Sequence, residues 1–405
     1  MKTADIIIIG GGPAGLFTGI HCKSNKVILL EKNAAPGRKL LISGTGRCNI
    51  THDCKLSDFF DHYGQNHRFL KTALHSFTNN DLIQFFNTHG LETVVDKNGK
   101  VFPASQKAED VLKALMKAVA SNYTEVVCNQ LITSIIKTET GFEIISNSGV
   151  FSSRFLVITT GGMSYPATGS TGDGYHFAKQ LGHSIVPPKP SLSPVFIREY
   201  AMASISGVSV QNKLVYLYRG DKKISEHRGD IGFTHKGLSG PGILDFSRHI
   251  VSGDILKVNL IDMRTDDFRN ELIDSSVTKG KTAIQTYLKQ FDLPRSLVLL
   301  ILESIKLDSE TKLAEITKAQ RNQLVASFCE FPFTVEKVGG FNMAMVTSGG
   351  VSLEEVNQKT MESKLVPGLY FAGEVLDIDG DTGGYNLQAA FSTGYLVAKE
   401  LGNRG

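Results

Sequence analysis

The sequence predicts an α/β protein with a second, antiparallel and helical unit inserted into it. Three observations support this fold class. Residues 6–30 follow the order strand, glycine-rich turn, helix, strand. From about Ser193 the pattern changes to alternating apolar and polar residues, and after Asp266 it becomes helical. A strand followed by glycines returns at residues 345–351, so the chain leaves its first domain and comes back to it.

Composition excludes several classes of protein. At roughly 150 residues per domain, 405 residues suffice for two or three domains. The charges nearly balance, with 43 Lys and Arg against 40 Asp and Glu, and 41% of residues are hydrophobic, which excludes disordered and fibrous chains. Five irregularly spaced cysteines predict neither a disulfide framework nor a metal site, and they favour a reducing, cytoplasmic environment.

Neither a membrane nor a large nucleic-acid surface is indicated. The apolar stretch 6–20 is interrupted by glycines, unlike a signal peptide, and no run of 18 apolar residues occurs. Blocks of like charge are absent, and residues 193–337 contain nearly equal numbers of basic and acidic residues. We therefore expect no membrane partner, and any contact with RNA should be local.

The elements of the first domain follow in order. Residues 6–9 form a β-branched apolar run typical of a buried parallel strand. The remaining predicted elements are a helix at 13–23, a strand at 27–30, a helix at 81–89, a hairpin around 96–101, a helix at 109–121, paired strands within 131–146 and a strand at 154–160.

The inserted segment has two parts. Strands at 213–219, 224–233 and 254–262 predict a small antiparallel barrel or sandwich. Helices are predicted at 268–290, 295–307 and 311–329. The predicted domains are residues 1–192, an insertion at 193–337 divided into a barrel (193–264) and a helical part (265–337), and residues 338–405.

A glycine-rich turn near the N-terminus predicts a dinucleotide site. Residues 10–15 fit G-x-G-x-x-G, follow a strand, open a helix, and are followed by Glu31 at the end of the next strand. Gly10 permits the tight turn, Gly12 lets pyrophosphate approach the backbone, and Gly15 allows close helix packing. Glu31 should bind the adenosine ribose. A plain glycine turn is the alternative, but this context favours a dinucleotide.

A second group of segments favours FAD over NAD. Residues 366–374 form a strand that ends in Gly373-Glu374, where the carboxylate can accept hydrogen bonds from a flavin-linked sugar alcohol. Residues 383–386 lead into a helix at 387–401, whose positive end can face the N1 and O2 edge of a flavin. Thr160, Gly161 and Gly162 end another strand, and a glycine-rich segment at 169–174 follows.

Several motifs resemble one known family. The sequence resembles the BaiN/RdsA group of NAD(P)/FAD-dependent oxidoreductases in the segments 37–39, 43–49, 102–103, 234–241, 360–363 and 386–388. The resemblance implies FAD and a Rossmann-like, glutathione-reductase-like two-dinucleotide-binding fold with an inserted β-barrel and helical subdomain. The family's names refer to reduction of a steroid C=C bond and of a uracil ring in ribosomal RNA, and these motifs leave open which applies.

Pattern and resemblance together define a set of expected cofactor contacts. Arg38, Lys39 and Arg47 follow the Glu31 strand, which favours contact with phosphate or flavin over the alternative of solvated loop cations. The predicted cofactor-binding residues are Gly10, Gly12, Pro13, Ala14, Gly15, Glu31, Lys32, Arg38, Lys39, Ser43, Gly44, Gly46, Arg47, Cys48, Asn49, Thr160, Gly161, Gly162, Gly373, Glu374, Gly384, Tyr385, Asn386 and Leu387.

The predicted catalytic residues are three candidate proton donors, Cys48, His235 and Tyr165. Five residues separate Cys48 from Cys54, one more than in flavin disulfide reductases, so a redox pair is not favoured. His235, close to Ser239, lies in a glycine-rich loop of the insertion, where a domain that covers the flavin would place an acid. The alternatives are a loop histidine with its hydrogen bonds satisfied and a tyrosine that serves only packing.

The predicted activity is reduction of an activated C=C bond through FAD. The chain has no second G-x-G-x-x-G unit, so NAD(P)H is expected to act as a transient reductant. The acceptor would be the pyrimidine ring of ribosomal RNA, giving dihydrouridine, or a small unsaturated molecule. The alternatives are an amine or hydroxyacid dehydrogenase of the same fold and a flavin-bearing module that binds RNA or another partner. The choice of NADH or NADPH and the oligomeric state stay open.

Overall fold

The structure, a computed structural model, describes residues 1–24 and 26–404. The chain divides into two compact units. The first unit combines Met1–Pro190 with the segment from Ala344 onward, and the second is Ser191–Met343. The sequence placed the corresponding boundaries at 192/193 and 337/338.

Strands and helices alternate along much of the first unit. In the second unit most strands come first, a group of helices follows, and one strand comes last. Up to the boundary the elements are β1 (Lys2–Ile9), α1 (Pro13–His21), β2 (Val27–Leu30), α2 (Arg38–Ile42), β3 (Thr51–His52), α3 (Leu56–Phe59), α4 (Lys71–Ser76), α5 (Asn79–Thr88), β4 (Thr93–Val95), β5 (Lys100–Pro103), α6 (Ala108–Ser121), β6 (Glu125–Val127), β7 (Ile132–Lys137), β8 (Phe142–Ser146), β9 (Gly149–Ile158), α7 (Asp173–Gln180) and β10 (Ile185–Ser191). The second unit contains β11 (Val195–Ile197), β12 (Ser209–Arg219), β13 (Lys222–Phe233), β14 (Gly237–Ser239), α8 (Pro241–Leu244), β15 (Ile255–Asn259), α9 (Thr265–Thr278), α10 (Ile284–Leu288), α11 (Arg295–Ser304), α12 (Lys318–Cys329) and β16 (Phe331–Val338). The chain then returns through β17 (Val346–Val351), β18 (Leu369–Phe371) and α13 (Tyr385–Gly402).

A seven-stranded sheet forms the centre of the first unit. Its order is β6-β2-β1-β9-β8-β7, and β18 also pairs with β9. The pairs β6/β2, β2/β1, β1/β9 and β9/β18 are parallel, whereas β8 and β7 add an antiparallel extension. Ile7 and Ile8 in β1 are fully buried because apolar residues fill both faces of this central strand. The predicted α/β, Rossmann-like fold is confirmed.

The second unit contains a closed barrel of six strands in the order β11-β14-β13-β12-β15-β16. Val215 and Leu217 are buried, while their neighbours Tyr216 and Tyr218 are partly exposed, as the period of two in a strand requires. Strand β16, which closes the barrel, follows the helices in sequence. The predicted helical part, residues 265–337, therefore ends with α12, and its last residues belong to the barrel.

The first long helix of the insertion is shorter than the sequence predicted. Residues 268–290 were expected to form one helix, but the structure has two, α9 and α10. Gly280 lies in the connection, where an added Cβ would be 2.6 Å from the Ser276 carbonyl oxygen. A glycine just beyond a helical stretch is a common end signal.

Two small sheets complete the first unit. One has the order β3-β5-β4 and includes the predicted hairpin around residues 96–101, and the other pairs β10 with β17. The segment Phe60–Leu70 forms an irregular 3-10 stretch between α3 and α4. Among the described residues, no helix is both long and apolar enough to cross a membrane.

Candidate functional site

The turn between β1 and α1 gives each glycine of the dinucleotide motif a distinct role. An added Cβ at Gly10, whose φ is +106°, would be 2.6 Å from the Thr159 carbonyl oxygen. At Gly15 it would be 2.0 Å from the Gly10 carbonyl oxygen. At Gly12 it would meet no atom within 4 Å. Gly10 and Gly15 are thus required by packing within the protein, whereas Gly12 faces open space where pyrophosphate can approach bare backbone.

Helix α1 begins directly at that open space. Gly12 precedes the helix, Pro13 occupies its first turn, and no acidic side chain lies there. The first N–H groups of a helix have no partner within the helix and carry a partial positive charge. This end of α1 therefore suits a phosphate group.

Glu31 directly follows β2, and its carboxylate is held by backbone and side-chain donors. Its Oε2 accepts the Gly11 N–H at 2.7 Å. Its Oε1 accepts the Asn33 N–H at 2.8 Å and the Asn33 Nδ2 at 2.7 Å. A carboxylate has about four lone-pair sites, so an oriented Glu31 can still accept from a ribose hydroxyl. Asn33 was missed by the sequence analysis, although it lies two residues beyond the predicted acid.

Lys32 and Arg38, which were predicted to contact the cofactor, hydrogen-bond to other residues of the protein. Lys32 Nζ lies 2.6 Å from both Thr171 Oγ1 and Asp173 Oδ2. It thereby joins the end of β2 to the glycine-rich segment before α7. Arg38 is exposed and donates to Asn33 Oδ1 at 3.0 Å. Direct contact of Lys32 and Arg38 with a cofactor stays a prediction.

The segment that ends in Gly373-Glu374 packs against the dinucleotide turn between β1 and α1. Gly373 has a φ of +76°, and an added Cβ there would be 2.8 Å from Ala14 Cβ. Glu374 Oε1 accepts the Thr347 N–H at 2.8 Å, and Lys39 Nζ donates to both oxygens of Glu374, at 3.0 and 2.8 Å. Lys39 therefore orients the carboxylate that was predicted to bind the flavin-linked sugar alcohol.

Helix α13 begins beside this carboxylate. Gly384 precedes the helix with a φ of +96°, and an added Cβ would be 2.6 Å from the Thr51 carbonyl carbon, so glycine is required there. Asn386 fixes the loop that precedes α13, because its side chain accepts the Gly380 N–H and donates to the Gly380 carbonyl, each at 2.8 Å. Tyr385 is buried and Leu387 is partly exposed at the same helix start. A cleft in this region is lined by Gly373, Glu374, Ile378, Asn386, Ala389 and Thr393.

The third predicted segment packs against the same group of residues. Gly161 has a φ of +72°. An added Cβ at Gly162 would be 2.4 Å from Thr347 Oγ1 and 3.0 Å from Glu374 Oε1. Thr347 Oγ1 also accepts the N–H groups of Met163 and Ser164. Thr347, in β17, is thus a site residue that the sequence analysis missed, because only its strand was recognised.

Two buried polar atoms of the predicted site lack a hydrogen-bond partner, as expected where a cofactor such as FAD would supply one. Thr160 Oγ1 and Asn49 Oδ1 are buried and have no hydrogen-bond partner in the described part of the chain. Both belong to residues predicted as cofactor contacts. Unpaired buried polar atoms are costly unless something satisfies them, and a bound dinucleotide provides such groups.

The loop that contains Ser43, Gly44, Gly46 and Arg47 has an unusual backbone. Gly44, Thr45 and Gly46 all have positive φ, at 54°, 60° and 81°. Ser43 Oγ donates to the Leu40 carbonyl at 2.7 Å, and the Arg47 guanidinium lies 4.7 Å from the centre of the Phe102 ring. Positive φ at a β-branched residue such as Thr45 is strained and often marks functional loops.

The three predicted proton donors occupy different surroundings. Cys48 is 0% exposed, and burial raises the pKa of its thiol to about 12, so neither cofactor nor substrate can reach its sulfur in this conformation. Tyr165 is partly exposed and has a φ of 53°. His235 is exposed in the turn between β13 and β14 of the second unit, where Thr234 Oγ1 accepts the Gly237 N–H at 3.1 Å. The structure thus leaves Tyr165 and His235 as accessible candidates.

Comparisons with known proteins agree with this arrangement. The family model described as "HI0933-like protein Rossmann domain" matches residues 4–400. The chain is 31% identical over 408 residues to a ribosomal RNA dihydrouridine synthase of Escherichia coli (strain K12), covering 99% of this chain and 98% of the relative. It is 30% identical over 412 residues to a 3-dehydro-bile acid delta(4,6)-reductase of Clostridium scindens, covering 98% of each. The predicted resemblance to the BaiN/RdsA group is confirmed.

Solved structures share the fold at low identity. The Sdh1 complex of Mycobacterium smegmatis in its apo form matches with a TM-score of 0.54 and 14% identity, over 99% of this chain and 68% of that one. The 3-ketosteroid delta1-dehydrogenase of Sterolibacterium denitrificans matches with a TM-score of 0.51 and 11% identity, over 100% of both chains. Because the family model spans nearly the whole sequence and the two relatives are covered almost end to end, the chain belongs to the HI0933-like Rossmann-domain family and is an oxidoreductase with a fold of the FAD-binding type.

Proposed function

We propose that this protein is an NAD(P)H-dependent reductase that uses FAD to reduce an activated C=C bond. The acceptor is the pyrimidine ring of ribosomal RNA or a small conjugated molecule. The observation that carries the proposal is the contact between the two motifs, since Gly373 packs against Ala14 and so joins Glu374 and the start of α13 to the dinucleotide turn. FAD fits this arrangement better than a nicotinamide dinucleotide, because Glu374 and the start of α13 are the features that favour a flavin.

Each part of the site has a role toward FAD. Glu31 would hold the adenosine ribose, and the backbone at Gly12 with the start of α1 would hold the pyrophosphate. Glu374, oriented by Lys39 and Thr347, would accept from the sugar alcohol. The positive end of α13 would stabilise negative charge on the pyrimidine edge of the ring system. Bound FAD supplies hydride transfer, and the protein supplies orientation, electrostatics and a proton.

The choice of C=C reduction rests on the relatives. One is named a ribosomal RNA dihydrouridine synthase and the other a bile acid reductase, and both names describe addition of hydrogen to a conjugated double bond. Their identities of 31% and 30% do not distinguish the two substrates. Of the three donors predicted from the sequence, His235 and Tyr165 are accessible, whereas the burial of Cys48 argues against a role for its thiol.

The test separates two half-reactions under anaerobic conditions. Purified protein is mixed with NADPH or NADH, and bleaching of the flavin is followed. The reduced protein is then mixed with rRNA that lacks dihydrouridine or with a 3-dehydro-4,6-diene bile acid. We expect bleaching by a nicotinamide and return of colour with one of the two acceptors. Reduction by an amine or a hydroxyacid, with no response to NAD(P)H, would overturn the proposal in favour of a dehydrogenase.

A further inference from the structure

A histidine and an aspartate from distant parts of the first unit form a pair at the start of α13. His62 Nδ1 lies 3.1 Å from Asp381 Oδ2. The backbones of the same two residues also meet, because the Asp381 N–H donates to the His62 carbonyl at 2.9 Å. The pair is therefore fixed by both main-chain and side-chain contacts.

Aromatic stacking fixes the plane of the imidazole ring. The His62 ring stacks on the Tyr385 ring, with centroids 3.9 Å apart and planes 16° apart. Tyr385 also stacks with His52, at 5.3 Å and 14°. Tyr385 is the first residue of α13, so the orientation of His62 is tied to the helix start that was predicted to face the flavin.

The partner of Nδ1 determines which nitrogen can exchange a proton. A carboxylate can only accept, so Asp381 takes the Nδ1–H of His62, and the proton that the ring can exchange is the one on Nε2. Within the described residues the only hydrogen bond of the His62 side chain is the one at Nδ1, so Nε2 has no partner there, and the side chain is 34% exposed. Nε2 can therefore give a proton to a bound molecule and regain it from water.

The pair lies close to the cleft beside Glu374. Asn386, which lines that cleft, donates from Nδ2 to the Asp381 carbonyl at 3.2 Å and to the Gly380 carbonyl at 2.8 Å. His235, by contrast, lies in an exposed turn of the second unit and has no carboxylate partner among the described residues. His62 thus combines an orienting carboxylate, an open nitrogen and a position beside the predicted flavin edge.

We propose that His62, oriented by Asp381, is the proton donor of the reductase reaction. The inference rests on the proposed function. Reduction of a C=C bond adds a hydride, supplied by the reduced flavin, to one carbon and a proton to its neighbour. In that step the Nε2–H bond breaks, a C–H bond forms, and neutral His62 takes a new proton from solvent. His62 is then a catalytic residue and Asp381 a positioning residue.

The kinetic test compares His62→Gln with a matched control. His67→Gln alters a partly exposed histidine in the same irregular segment, where Nδ1 bonds only the Gly64 carbonyl at 2.7 Å. Flavin content, the rate of bleaching by NADPH and the rate of recolouring by the acceptor are measured for both and for His235→Ala. We expect His62→Gln to keep flavin content and bleaching but to slow recolouring by roughly a hundredfold, with His67→Gln equal to the parent.

Two further readouts separate proton donation from a purely structural role. Imidazole added to His62→Ala should restore part of the recolouring rate, because the site is open to solvent. In the parent protein, ¹⁵N-histidine NMR should show the neutral His62 ring with its proton on Nδ1. Asp381→Asn, which alters the acceptor that orients the His62 ring, should slow recolouring without loss of flavin.

The outcomes distinguish this inference from the proposed function. Recolouring at the parental rate in His62→Gln, or a neutral His62 ring protonated on Nε2, would overturn the assignment of His62 alone. If only His235→Ala recolours slowly, His235 of the second unit is the proton donor and His62 is not. If neither acceptor recolours the reduced parent protein, the proposed function fails and the assignment of His62 fails with it.

Discussion

Lys39 Nζ donates to both carboxylate oxygens of Glu374, a residue 335 positions away in the sequence. Both side chains are about four-fifths buried. The pair connects α2, the helix that follows β2, to the carboxylate that we expect to bind the sugar alcohol of FAD. We therefore expect Lys39 to act on the proposed FAD through Glu374.

Removal of that cation should weaken FAD binding while the protein stays folded. In Lys39→Met, Glu374 keeps the Thr347 N–H but loses its charged donor. Hydrogen bonds to charged groups contribute about 1.5–3 kcal/mol, so we expect roughly tenfold to hundredfold weaker binding. Fluorescence titration of apoprotein with FAD measures the change. The control is Lys117→Met at an exposed position of α6 outside the predicted site, and equal affinities for the two variants would contradict a role of Lys39 in the site.

Alanine at the motif glycines should separate folding from cofactor binding. Gly12→Ala adds a methyl group that meets no protein atom, so the melting temperature of the apoprotein should be unchanged while FAD affinity falls. Gly15→Ala places the methyl group 2.0 Å from the Gly10 carbonyl oxygen, so the apoprotein itself should be destabilised. Differential scanning calorimetry with and without FAD reports both effects. A lower melting temperature for apo Gly12→Ala than for apo Gly15→Ala would be the opposite of this expectation.

The hydroxyl of Thr347 should contribute to stability in the absence of any cofactor. It accepts the N–H groups of Met163 at 2.8 Å and of Ser164 at 3.2 Å in a buried position. Thr347→Val keeps the shape of the side chain but leaves these donors unpaired, which should lower the free energy of unfolding by about 1–3 kcal/mol. Thr347→Ser keeps the hydroxyl and should lose less. Urea unfolding of the apoproteins measures both, and a Val variant at least as stable as the Ser variant would refute this role.

The burial of Cys48 predicts a distinct alkylation pattern. Its raised pKa, about 12, keeps the thiol protonated at neutral and mildly alkaline pH, and only the thiolate is nucleophilic. Its reaction with iodoacetamide should therefore be much slower than that of the partly exposed Cys128, and it should accelerate only as pH rises toward 12. Mass spectrometry of peptides from native protein labelled for short times gives the two rates. Comparable labelling of both cysteines at neutral pH would show that Cys48 is accessible.

Local features of the first unit could be predicted from the sequence, because they depend on neighbouring residues. The predicted strand at 27–30 is β2 as observed, and the predicted helix at 109–121 differs from α6 by one residue. Apolar runs, glycine turns and helix periodicity encode such elements directly. The prediction of one long helix at 268–290 is wrong because the chain stops being helical near Gly280, between α9 and α10.

Long-range contacts could not be predicted in the same way. Asp381 and His62 are 319 residues apart, and Thr347 reaches Glu374 and Ser164 from a strand whose partners are set by the fold. A sequence pattern identifies Glu374 as a candidate ligand, but the groups that orient it depend on packing. Likewise, the strand β16 was missed because the six-stranded closure of the barrel is a property of the whole unit.

The most direct test of the central claim is an anaerobic experiment on the purified protein that follows flavin absorbance and product mass together. Our account predicts that the protein releases FAD on denaturation, that NADPH or NADH bleaches the bound flavin, and that rRNA lacking dihydrouridine or a 3-dehydro-4,6-diene bile acid restores the colour. One product molecule, heavier by two hydrogen atoms, should form for each flavin reoxidised. Release of NAD without flavin, or a bleached flavin that regains its colour only when oxygen is admitted, would contradict the account.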